Sequence, residues 1–208
     1  MVKLYNTLHA QVVRSTMQFK AKLLKKYIKE LVLEAMGSKK LRIFDFDDTL
    51  VKTDSMVYVT DAQGEEFALT PGEFAMYKPK EGDKFDYTDF QKLINPRAIK
   101  WTGKILDSVY SKHGPAGLVI LTARSIAEPI RQFLDDAGYP DVEVIALNDA
   151  NPQAKADWID RKIVSDGLDV IEFFDDSSKH VAAVKRLQAK HPNVKIIARH
   201  IVHRAISK

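Results

Sequence analysis

The sequence predicts an α/β fold: a doubly wound (Rossmann-like) five-stranded parallel sheet with a β-hairpin flap, a small cap insertion and an N-terminal amphipathic helix. Three observations lead there. From residue 40 onward, short continuous runs rich in Val and Ile alternate with helix-like stretches, as expected where both faces of a parallel sheet are covered. Cap and turn residues fall between those runs at the right places to separate them. The length of 208 residues suits one full core plus a modest insertion rather than two independent domains.

The elements follow in order. Residues 1–39 form a basic arm that is mostly one helix. Ser15 with Gln18 fits the capping box that opens a helix, and Gly37 supplies the stop. Leu23, Leu24, Tyr27, Ile28, Leu31 and Val32 recur at three- and four-residue spacing, with Lys20, Lys22, Lys25, Lys26 and Lys29 between them. Residues 1–42 carry eight Lys and two Arg against Glu30 and Glu34, a balance of +8; with a net charge of +4 for the whole chain, the remaining 166 residues sum to −4. The helix is either a docking element with its lysines in water or a handle for phosphate backbones. It lacks the interleaved aromatics that stacking on single strands would need.

The body comprises residues 40–208. Strands are expected at 41–45, 118–122, 142–147, 170–174 and 194–198. Ser125 and Glu128 suggest a capping box for a helix closed by Gly138. Asn151 followed by Pro152 opens another, ending near Gly167, and Ser177 or Ser178 caps a last helix that stops before Pro192. Residues 51–117 interrupt the alternation. Runs at 56–60 and 66–70 flank Asp61-Ala62-Gln63-Gly64 as a hairpin, Thr70-Pro71-Gly72-Glu73 opens a short helix, and 96–113 reads as a helix stopped by Gly114. This segment is expected to form a flap and cap over the strand ends. Trp101 and Trp158 are expected in the core.

Several function classes drop out. The chain has no cysteine, hence no disulfides and no thiolate metal site, which fits a reducing, cytoplasmic setting. Its first residues lack the apolar core of a signal peptide, and runs such as Gly117-Leu118-Val119-Ile120-Leu121 are too short to span a bilayer, so no membrane is expected as a partner. Gly103-Lys104 is followed by Ile105 and lacks the upstream glycine of a phosphate-binding loop, which excludes a kinase of that type. His200 and His203 have no carboxylate between them and make a poor zinc site; His180, at the start of the helix after Asp176, either approaches the site or is a satisfied surface histidine. Nothing in the pattern specifies an oligomeric state.

The chemistry concentrates at strand ends. Asp45-Phe46-Asp47-Asp48-Thr49-Leu50 directly follows the run Leu41-Arg42-Ile43-Phe44. Strand alternation would point Asp45 and Asp47 the same way, and two like charges that close require a shared cation or proton. Ligands of open α/β sheets bind beyond the carboxyl ends of strands, at the point where strand order reverses. If strands 41–45 and 170–174 are neighbours there, Asp45, Asp47, Asp175 and Asp176 converge in an all-oxygen cluster suited to Mg²⁺. Each of these residues taken alone could equally be a cap or a turn residue.

Together with Leu121-Thr122-Ala123-Arg124, Lys155 and Phe174-Asp175-Asp176-Ser177, the Asp45-x-Asp47-x-Thr49 run resembles the haloacid dehalogenase-like superfamily of phosphohydrolases. The resemblance covers residues 40–200 and leaves the arm aside. It implies that Asp45 attacks phosphorus to give an aspartyl-phosphate, that Asp47 serves as general acid and then base, and that Thr122 and Lys155 hold the phosphoryl group. It also implies metal binding by Asp175, with Asp176 as second ligand or orienter. Lys162, two turns beyond Lys155, is the alternative site lysine. An acid at position 47 favours phosphoester hydrolysis over dehalogenase or transport-ATPase chemistry, and Asp48 stands where many members have Gly.

Arg124 and the Asp175-Asp176 pair are similar to the 3′-phosphatase domain of bacteriophage polynucleotide kinases. The stretches Leu69-Thr70-Pro71-Gly72-Glu73-Phe74 and Gly82-Asp83-Lys84-Phe85-Asp86-Tyr87 look like phage phosphatases of the superfamily. Thr49 and Arg124 are then expected to bind substrate, with a surface ion pair as the other reading of Arg124, while Tyr77, Lys78, Lys80 and Lys84 either line an entrance for a polyanion or are ordinary loop residues. The expected activity is a Mg²⁺-dependent phosphatase acting on a nucleic-acid end or a nucleotide. The alternatives are a phosphatase of small metabolites and a non-catalytic module that binds metal or nucleic acid.

Overall fold

A computed structural model describes residues 16–22, 24, 25, 28 and 37–202. The chain divides into two compact units, Met1–Ser38 and Lys39–Lys208. In the first, residues 16–22, 24, 25 and 28 are helical, while Ser15, Leu23, Lys26, Tyr27, Lys29, Leu31 and Val32 of the expected pattern lie outside the described residues. So does His203. Among the described residues, no helix is long and apolar enough to cross a membrane.

The second unit runs β1 (Lys40–Phe44), β2 (Val51–Lys52), β3 (Val57–Thr60), β4 (Glu66–Leu69), α1 (Pro71–Met76), β5 (Lys84–Asp86), β6 (Arg97–Ala98), α2 (Lys100–His113), β7 (Leu118–Thr122), α3 (Glu128–Asp136), β8 (Glu143–Ala146), α4 (Pro152–Asp166), β9 (Val170–Asp175), α5 (Ser178–Lys190) and β10 (Lys195–His200). Five of the strands form one parallel sheet in the order β10-β9-β1-β7-β8, so β1 is central. All residues of β7 are buried, and Ile43, Phe44 and Phe173 have no exposure, as strands covered on both faces require.

Two apolar clusters flank the sheet. Leu41, Ile43, Val119, Ile171 and Phe173 pack with Ile159 and Ile163 of α4 and Val181, Val184 and Leu187 of α5. Phe44, Leu118, Ile120 and Phe174 pack with Leu106 of α2 and Ile130 and Leu134 of α3. Phe44 and Phe174 stack at 4.5 Å between ring centres, tying the two neighbouring strands just below their ends. Gly117 makes the close approach of β7 to β1 feasible: its φ is +71°, and a Cβ there would lie 2.7 Å from the Lys40 carbonyl oxygen.

Three expectations need correcting. The helix expected over 96–113 begins only at Lys100, because Arg97–Ala98 pairs as a strand with Val51–Lys52 and the Ile99 amide donates to the Leu50 carbonyl. Since Leu106 joins the core, α2 covers the sheet, and the insertion proper ends before it. The Ser125–Glu128 capping box does not form. α3 starts at Glu128 with Pro129 in its first turn, and residues 123–125 bend to turn Arg124 inward. Trp101 is 46% exposed, because Thr102 holds that turn of α2 through a 2.6 Å bond to the Thr49 carbonyl and takes the buried face. Trp158, by contrast, packs partly buried on the first cluster.

The insertion has a sheet of its own, β4-β3-β5, whose hairpin around residues 61–64 was legible and whose third strand was not. Thr70 and Glu73 close a reciprocal capping box on α1.

Candidate active site

Strand register builds the site. β1 and β9 pair Phe44 with Phe174, and the Asp45 amide donates to the Phe174 carbonyl at 2.9 Å. The next residues, Asp45 and Asp175, therefore emerge side by side at the carboxyl ends of adjacent parallel strands. On the other flank β1 pairs Phe44 with Ile120, which puts the end of β7, Thr122, at the same rim.

Lys155 joins them from α4. Asn151 caps that helix by accepting from the Gln153 amide, and Pro152 occupies its first turn. Lys155 lies one turn in, and helical side chains lean toward the N-terminus, here toward the strand ends. Its ammonium donates to Asp45 Oδ1 at 2.6 Å and to Asp175 Oδ2 at 2.7 Å, with 1% of the residue exposed. Lys162 instead bonds Asp166 at the far end of α4. The helix start, not its far end, supplies the site lysine.

Asp175 is held from several directions. Besides Lys155, its Oδ1 accepts from the Ser177 amide at 2.8 Å, and His180 Nδ1 lies 3.1 Å from its Oδ2. Burial pushes this carboxyl up, but Lys155 and His180 outweigh that and hold it below the usual range. On its neighbours burial prevails. Desolvation raises Asp45 to about 6, with Asp175 and Asp47 adding to the effect and Lys155 opposing it. Asp176 rises to about 8, through burial first and then the fields of Asp45, Asp175 and Asp48. On Lys155, burial works against the charge, but Asp45 and Asp175 prevail and the ammonium is held well above its ordinary value.

Asp45, Asp175 and Asp176 each offer a carboxylate oxygen within 4.8 Å of the others. Three carboxyl groups so close carry more negative charge, when ionised, than the Lys155 ammonium alone offsets. That donor set fits a hard divalent cation such as Mg²⁺.

Asp47, also expected among the metal ligands, is not in this group of three. β1 ends at Phe44, so strict alternation stops before residue 47, and both Asp47 oxygens face Arg124: Nε to Oδ2 at 2.8 Å and Nη2 to Oδ1 at 2.7 Å. Arg124 is correspondingly not aimed at open space as a phosphate clamp. It is 4% exposed, donates to the Phe90 and Lys92 carbonyls at 3.0 and 2.9 Å, and lies 4.8 Å from the Phe90 ring centre. Thr49, also expected at the substrate, is fully buried; its Oγ1 accepts from the Asp176 amide at 3.1 Å and fixes the loop carrying Asp176. Asp48 adopts φ +52°, a left-handed conformation that Asp tolerates better than most residues.

A cavity of about 520 Å³ opens over these groups. Asp45, Asp47, Thr122, Arg124, Lys155 and Asp176 line it from the sheet side, and Val57, Pro71, Phe74, Tyr87 and Phe90 from the insertion. Tyr77, Lys78, Lys80 and Lys84 do not line it; the Tyr77 hydroxyl bonds Asp83. Lys179, His180, Asn148 and Asp149 do; the sequence left His180 open between the site and the surface and gave no site role to the other three. The usable signal for Lys179 and His180 was their place in the first turn of the helix that Ser177 caps, directly after Asp176.

Compared with known proteins, the chain matches no family model and no curated sequence.

Proposed function

We propose that the chain is a Mg²⁺-dependent phosphomonoester hydrolase of the haloacid dehalogenase-like type, with a doubly wound, Rossmann-like core, working in the cytoplasm on a nucleotide or a phosphorylated nucleic-acid end. One observation carries the reading. A carboxylate at the central strand end shares a buried lysine with a second strand-end carboxylate, a third lies within reach of both, and the first, the third and the lysine line one substrate-sized cavity.

Asp45 is the nucleophile in this reading. Lys155 occupies its Oδ1, which leaves the other oxygen to attack phosphorus and displace the ester oxygen. Asp47 delivers the proton to that leaving oxygen and later takes one from the water that cleaves the aspartyl-phosphate. Donation requires an Asp47 oxygen to leave the Arg124 fork. Thr122 lines the cavity beside the phosphoryl position, and Lys155 offsets the repulsion between an anionic carboxylate and an anionic ester. Asp45, Asp175 and Asp176 would hold Mg²⁺, which when bound supplies the further positive charge that such an encounter needs. A small-metabolite substrate is the second reading, favoured by the size of the cavity and by the absence of Lys78, Lys80 and Lys84 from its lining.

The test uses p-nitrophenyl phosphate and 3′- and 5′-phosphorylated oligonucleotides. Turnover should require Mg²⁺, vanish with EDTA and return on readdition. Asp45→Asn should lose at least about 10³-fold in kcat while its thermal midpoint stays within a few degrees. Full activity in that variant would remove Asp45 from the chemistry.

A further inference from the structure

We infer that the insertion selects phosphomonoesters whose leaving group carries a flat ring, with Phe74 and Tyr87 as its specificity-determining residues; this rests on the phosphatase reading. The cavity has two chemically distinct walls. The sheet side is charged, as a phosphoryl group requires, whereas the insertion wall is formed by Val57, Pro71, Phe74, Tyr87 and Phe90. The volume of about 520 Å³ falls within the range of small-molecule sites, far more than a phosphoryl group alone fills.

The aromatic wall is prearranged. Phe74 meets Tyr87 edge-on at 5.7 Å and Phe85 at 5.5 Å, and Phe85 lies nearly parallel to Tyr87 at 6.2 Å. Phe85 does not line the cavity; it buttresses the two rings that do. The Thr70–Glu73 capping box fixes the first turn of α1 and with it the position of Phe74. Tyr87 remains 45% exposed despite these neighbours, a large ring surface that a stacked ligand would cover.

Polar recognition lies on the same rim. Asn148 and Asp149, from the loop before α4, line the cavity; the Asn148 amide can donate or accept, and the Asp149 carboxylate can accept, hydrogen bonds at the edge of a heterocycle. Lining acids include Asp48 and Asp149, and of the lining cations Arg124 and Lys155 are already ion-paired with carboxylates. Such a lining suits one phosphorylated ring compound better than a long polyanionic chain.

The experiment compares nucleoside 5′- and 3′-monophosphates, p-nitrophenyl phosphate and glycerol phosphate on the full chain and on Tyr87→Ala, Tyr87→Phe and Phe74→Leu. The ring-bearing esters should be preferred. Tyr87→Ala should raise their KM by about tenfold, in the range expected for loss of one stacked ring, with kcat changed less than about twofold. Glycerol phosphate should be unaffected, and Tyr87→Phe should retain the preference. Equal losses on glycerol phosphate, or none on the nucleotides, would overturn the inference. If no ester is turned over, the phosphatase reading fails separately, and calorimetry with an unphosphorylated nucleoside still decides the ring site: binding weakened by Tyr87→Ala supports it, and no binding sinks it. A nucleoside monophosphate cleaved faster than p-nitrophenyl phosphate assigns the ring to a nucleobase; the reverse assigns an aryl ester.

Discussion

At the scale of single residues, Lys155 and the three aspartates illustrate how burial sharpens charge. A lysine with 1% exposure is tolerable only because two carboxylates lie 2.6 and 2.7 Å from it. That leaves Asp176 and, in part, Asp45 undercompensated. Both have folded-state values above the ordinary 3.8, at about 8 and about 6. Between those limits the folded protein keeps protons that the unfolded chain has released, so stability without a cation falls as pH rises from 4 toward 8. Asp175 has the opposite sign: its contribution is present above the ordinary carboxyl value and is lost only as pH falls through its depressed one, below this window. A divalent cation should substitute for the retained protons. The gain in thermal midpoint from Mg²⁺ at constant ionic strength should therefore be small at pH 5 and grow to pH 8. A gain that is flat or shrinks with pH would place the cation elsewhere.

At the scale of elements, Arg124 is the tie between the core and the insertion. Its fork holds Asp47 after β1, while Nη1 caps two carbonyls of the 90–92 segment. Removing it leaves Asp47 without its partner and two carbonyls without a donor. Arg124→Ala should destabilise the fold by about 3 kcal/mol, or roughly 6–10 °C in a thermal melt. It should also lower kcat more than it changes Mg²⁺ affinity, because the carboxylates proposed to hold the metal are other residues. Arg124→Lys keeps the charge but not the fork and should recover only part of the loss. A variant with an unaltered melting point would show that the insertion is anchored without this residue.

At the scale of the molecule, charge is segregated: residues 1–42 carry +8 and the rest −4. The arm belongs to a separate compact unit from the body that contains every site residue. Deleting residues 1–38 should therefore leave kcat/KM for a small ester within about twofold. If the arm is the contact for polynucleotides, the same deletion should weaken oligonucleotide binding and flatten its dependence on salt concentration. Binding and salt slope that survive the deletion intact would return the arm to a packing role.

What could be read along the chain was local. The alternation of apolar runs and capped helices foretold the five parallel strands, because burial on both faces and end-capping leave marks on neighbouring residues. Asp45, Asp175 and Asp176 were legible for the same reason, standing at strand ends, whereas Thr122 and Lys155 were singled out through the resemblance of their surroundings to known motifs. Pairings across the fold were not. Whether Arg124 would grip a ligand or Asp47, whether Thr49 would face the cavity or brace Asp176, and which of the aromatics between 67 and 90 would wall the pocket depended on residues 30 to 130 positions apart along the chain. Side-chain partners at that separation are chosen by register, strand order and the path of the insertion, and none of these is encoded in the spacing of nearby residues.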